Sequence, residues 1–87
     1  MSRTDALSQL GAAVAEVREA HGLSQEDVVE RIELDADRRE QSRHLRSARG
    51  LDAIECGRDD PSFLTLVDIA RAIDVPLEEI LVRVGTS

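Results

Sequence analysis

Lysine, tryptophan and tyrosine are absent from this 87-residue chain, and phenylalanine occurs once. Its core must therefore be assembled from Leu, Ile, Val and Ala. A single cysteine, Cys56, excludes an intrachain disulfide and any cysteine-based metal site. The two histidines, His21 and His44, are too few and too far apart to suggest zinc. This composition fits a reducing compartment. No apolar run is long enough for a signal peptide or a membrane span, so a cytoplasmic protein without membrane, metal or cofactor is expected. Proline and glycine are scarce, and few runs alternate with period two. An all-α fold in one domain, residues 1–87, follows. At this size the core is thin, and a partner or second subunit would add burial.

Charge is plentiful but unevenly placed. All 11 basic residues are arginine, against 18 acids, for a net charge of −7. Residues 38–49 hold Arg38, Arg39, Arg43, Arg46 and Arg49 against the single acid Glu40, a net of +4. The other positions carry six arginines against 17 acids, a net of −11. A basic block on an acidic body can attract polyanions locally where the average charge would repel them.

Helical periodicity organises the rest. Leu7, Leu10, Val14 and Val17 share one face of a helix expected over 5–21, with Thr4 as its cap and Gly22 as its stop. Ser24 and Asp27 have capping-box spacing ahead of a second helix, 25–33, with Val28, Val29 and Ile32 inward. Ser47 can cap a third helix carrying Leu51 and Ile54, which Gly57 ends. Ser62 or Thr65 starts a fourth, with Leu66, Ile69, Ala70 and Ile73 inward. Leu77, Ile80, Leu81 and Val84 mark a short fifth. Residues 35–46 are rich in helix formers, yet only Ala36 and Leu45 among them are apolar. A largely exposed helix or a mobile loop is expected there.

Three segments in order, "LGAAVAEVREAHGLSQEDVVERI", "LDAIECGRDDPS" and "LTLVDIARAIDVPLEEIL", resemble the Cro/C1-type (XRE) helix-turn-helix family over residues 10–34 and 47–84. The resemblance implies a five-helix, lambda-repressor-like bundle that binds duplex DNA as a dimeric, sequence-specific transcriptional regulator, expected as a repressor. The second helix of the motif would lie in the major groove and begin at Ser47, while the first crosses the backbone. Family members join these helices by a turn of about three or four residues. Here the connection is roughly a dozen residues longer, so residues 35–46 are an insertion, a helix or loop between helices 2 and 3.

The expected DNA-binding residues are Gln25, Arg38, Arg39, Arg43, Arg46, Ser47 and Arg49. By resemblance, Gln25 contacts phosphate and Glu55 is a structural acid, with Arg18 as its partner. Arg49 lies in the first turn of the reading helix, and arginine to guanine is the commonest specific base contact. Two readings of the insert stay open. It is a basic arm for phosphates, or a solvated loop whose arginines pair with nearby acids at 26, 27, 30, 33, 35 and 37. Gly50 weakens the reading helix by about 0.5 to 1 kcal/mol relative to alanine, and Asp52 would repel phosphate. The alternative function is a protein-binding module on the same scaffold, of an antiactivator or antitoxin kind, with little DNA binding. No nucleophile stands with a base, no paired acids mark a cleft, and no glycine loop could cradle phosphate, so an enzyme is not expected. Val75, Leu77, Leu81 and Val84 suggest a homodimer through the last helix, with reading helices about 34 Å apart.

Overall fold

A computed structural model of the chain describes residues 2–39 and 47–84. The protein is all-α. The described residues form α1 (Arg3–Ala20), α2 (Gln25–Arg39), α3 (Ala48–Glu55), α4 (Phe63–Ile73) and α5 (Leu77–Leu81). Their principal packings close a ring: α1 lies on α3 and α5, α2 on α3 and α4, and α4 on α5. Val14, Val17, Val28, Leu51, Ile69, Ile73 and Ile80 fill the centre and are all but inaccessible to solvent. The core is thus purely aliphatic, and the sole aromatic, Phe63, is 67% exposed at the start of α4.

Local chemistry explains most boundaries. α1 begins earlier than the expected Thr4 cap, because Ser2 and Asp5 form a capping box. The Ser2 Oγ accepts from the Asp5 backbone N–H, and the Asp5 carboxylate accepts from the Ser2 N–H. Ser24 and Asp27 cap α2 in the same reciprocal way, at 3.0 Å each. Of the two candidates for α4, Ser62 is the cap. Thr65 lies buried in the first turn, and its N–H donates to Ser62 Oγ. α4 ends at Asp74, in the left-handed region at φ 68°, a conformation a short polar side chain tolerates. α5 stops at Leu81, sooner than the expected 84, and residues 82–84 form turns.

α2 departs most from expectation. It runs six residues beyond the expected end at 33, to Arg39, although Ile32 is the last buried side chain described on it. Local helix propensity across "ELDADRR" carries the extension. At a rise of about 1.5 Å per residue, the backbone of Arg39 lies about 10 Å past Ile32 along the axis. The first five residues of the insertion are therefore helical, continuous with α2; positions 40–46 lie outside the described residues.

Two glycines set the seat of α3. Gly11 is buried where α1 crosses the end of α3, and a Cβ there would come closer than 3.0 Å to the carbonyl oxygens of Ile54 and Glu55. Gly57 turns the chain out of α3 at φ 75°, packed so closely on Ser8 of α1 that a side chain would collide with its backbone.

Candidate nucleic-acid interface

α3 has a buried side and an open side. Leu51 and Ile54 are buried, at 0% and 3% exposure, while Arg49 and Cys56 are exposed and Asp52 is half-buried. Ser47, the expected first residue of this helix, is its N-cap; its Oγ accepts from the Gly50 N–H at 3.3 Å. That hydroxyl is a helix cap, worth about 1 kcal/mol in typical cases.

A polar cluster fixes α3 against α1 and α2. Arg18 of α1 reaches Glu55 of α3 with two parallel donors: Nε to Oε2 at 2.8 Å and Nη2 to Oε1 at 3.0 Å. Arg18 Nη1 donates to the Leu23 carbonyl at 2.8 Å, pinning the turn between α1 and α2. The pair is nearly buried, with 13% of the Arg18 side chain and 7% of the Glu55 side chain exposed. The hydrogen bond that Arg18 donates to Glu55 holds the Arg18 pKa above the ordinary guanidinium value against the opposing effect of burial. Arg18 therefore stays charged at any accessible pH, and the forked geometry needs an arginine. The partnership expected from the family resemblance is present in the geometry.

Gln25, the first residue of α2, belongs to the same cluster. Its amide donates to Glu55 Oε1 at 2.9 Å and to Asp52 Oδ1 at 3.3 Å. The residue expected to reach out to phosphate thus has both amide hydrogens aimed at acids of α3. Asp52 Oδ2 also accepts from Arg58 Nη2 at 2.9 Å, across the turn at Gly57. Sequence reasoning missed Arg58 and Gly11. A glycine inside a helical pattern was the available signal for the second; Arg58, six residues from Asp52 across a glycine turn, carried none.

The remaining expected residues divide in two. Arg49 is exposed in the first turn of α3. Arg38 and Arg39 end α2, and their side chains lie outside the described residues, as do Arg43 and Arg46 entirely. Elsewhere the arginines serve the fold. Arg3 pairs with Asp60, Arg31 Nη1 donates to the Ala72 carbonyl at 2.9 Å, and Arg83 pairs with Glu16 at 2.7 Å. With Arg18 and Arg58, five of the six arginines outside residues 38–49 are bonded within the chain. Val75, Leu77 and Val84, expected at a dimer face, pack partly buried against the core; the exposed apolar pair at that end is Leu81 and Val82.

Among the described residues no cluster of His, Cys, Asp or Glu could hold a metal ion. No described helix is long and apolar enough to cross a membrane. No protein-family model, curated protein or solved structure matches the chain.

Proposed function

We propose that this chain is a Cro/C1-type helix-turn-helix regulator with a lambda-repressor-like helix arrangement, which binds duplex DNA as a homodimer. α3 would enter the major groove with Arg49 reading a base edge, and the block at residues 38–49 would meet phosphates. One observation carries the reading. Five of the six arginines of the acidic body are bonded to its own acids and carbonyls, while the block of net +4 stands at the junction of α2 and α3. Attraction to phosphate then falls to that block. The helical continuation of α2 to Arg39 supports it, since the first residues of the block then extend a helix that is anchored in the core at Val28, Val29 and Ile32.

The test is selection of bound fragments from genomic DNA by the purified protein at two salt concentrations. Each phosphate neutralised contributes about 0.9 to the slope of log affinity against log salt. Replacing Arg38, Arg39, Arg43 and Arg46 by glutamine should flatten that slope by roughly two to four units and weaken all sequences alike. Arg49→Ala should cost about 1 to 3 kcal/mol on the preferred site and relax preference at one base pair. A wild-type salt slope in the quadruple variant removes the insert from the interface.

A second reading is favoured by exposed apolar side chains. Phe63 and Leu64 are adjacent and 67% and 61% exposed, and Leu34 on α2 is 61% exposed. A bundle that binds another protein would use such groups. Failure of the wild-type protein to retain any fragment at low salt selects this reading.

A further inference from the structure

We infer that Asp52 is an intramolecular competitor for phosphate, restraining DNA binding by occupying the cation and the amide nearest to the reading helix. The inference rests on the DNA-binding reading above. Asp52 lies one turn beyond Arg49 on α3, and both its carboxylate oxygens are engaged: Oδ1 by Gln25 Nε2 at 3.3 Å, Oδ2 by Arg58 Nη2 at 2.9 Å. Arg58 is the described arginine bonded to the open side of α3. Its side chain is 66% exposed and that of Asp52 46%. Such a solvent-exposed pair is weakly held and readily exchanged for another anion. Nothing in the core depends on it, because Glu55 and Arg18 carry the attachment of α3. Asp52 shares in that attachment only through the longer of the two Gln25 bonds, 3.3 Å against 2.9 Å to Glu55. Its other oxygen consumes Arg58 and sets a negative charge on the open side of α3, where phosphates would approach. Arg49 then supplies contact at the preferred sequence, while contact with an arbitrary backbone is held down.

Removing the charge while keeping the shape should release Arg58. With a pool of random-sequence duplex DNA as probe, Asp52→Asn should bind at least about fivefold tighter than wild type at low salt. Its salt slope should steepen by about 0.9, the contribution of one added phosphate contact. Asp68→Asn makes the same charge change on α4, which packs on α2 and α5; its affinity should stay within about twofold of wild type, with no change of slope. Asp52→Asn combined with Arg58→Gln should lose the gain. Unchanged circular dichroism and melting temperature in Asp52→Asn would exclude a folding effect. An equal gain in Asp68→Asn, or a gain that survives loss of Arg58, overturns the competitor and leaves the DNA-binding reading standing. Absence of binding by both proteins at low salt overturns both readings together.

Discussion

Replacing Gly11 by alanine sets two effects of opposite sign against each other. In an exposed helix interior the change is favourable by about 1 kcal/mol, because alanine restricts the unfolded chain and glycine does not. At Gly11 the added Cβ would meet the carbonyl oxygens of Ile54 and Glu55 closer than 3.0 Å. These are backbone atoms at the end of α3, so no rotamer change can relieve the overlap; α1 and α3 must move apart. Separation loosens Val14 and Val17 from Leu51 and Ile54, all buried in the same cluster. Overpacking a core costs about 1 to 3 kcal/mol, and an obstruction made of backbone belongs at the upper end. After the helix-propensity gain, the net should be a loss of about 2 kcal/mol. For a domain of this size that lowers the melting temperature by roughly 8 to 16 °C. Thermal unfolding followed by circular dichroism at 222 nm checks it, with Ala12→Gly on the exposed side of α1 as the comparison, expected to cost about 1 kcal/mol. A Gly11→Ala protein as stable as wild type, or more so, would refute the close crossing of α1 over α3.

The ion pair behind that crossing gives a larger effect. Glu55→Ala leaves the Arg18 guanidinium nearly buried without its acid and should cost about 3 to 5 kcal/mol in urea unfolding; the double variant Arg18→Met with Glu55→Leu should recover part of the loss, whereas a single-variant cost under about 1 kcal/mol would contradict the burial. Asp27 gives a pH dependence. Hydrogen bonds from the backbone and side chain of Ser24, aided by Arg31, hold its carboxyl below the usual 3.8, so its contribution is present above that value and lost as pH falls through the lower folded-state pKa. The difference in melting temperature between wild type and Asp27→Asn should therefore be greatest near neutrality and close at strongly acid pH; a difference that grows on acidification would be the wrong sign.

The helices and their inward faces were readable because periodicity reports burial directly. Val28, Val29 and Ile32, Leu51 and Ile54, and Leu66, Ile69, Ala70 and Ile73 are all buried as their spacing indicates. The Ser24–Asp27 and Ser47 caps were readable for the same kind of reason, since a cap is local chemistry. What depends on the approach of distant elements was not. The extension of α2 to Arg39 has no apolar stripe to announce it. The inward turn of Gln25 requires knowing that Asp52 and Glu55 stand opposite it, 27 and 30 residues away. Ser2 displaced Thr4 as the first cap because Asp5 lies three residues after Ser2, the spacing that returns a second hydrogen bond.

These distinctions decide which substitutions can inform on function. An isolated helix of eight residues is unstable in water, so α3, at eight residues, exists because the rest of the chain holds it. Leu51 and Ile54 fix its inner side, Gly11 permits α1 to approach, and Arg18, Gln25 and Glu55 tie its end to α1 and α2. Loss of DNA retention in variants of these residues would report an unseated helix as readily as a lost contact. Gln25 is the sharpest case: removing its amide deletes bonds to Asp52 and Glu55 before any phosphate is considered. Arg49 and Asp52 differ, because neither supports the core. Substitution at these two positions, one expected to attract DNA and the other to restrain it, can separate recognition from folding in the eight-residue helix both share.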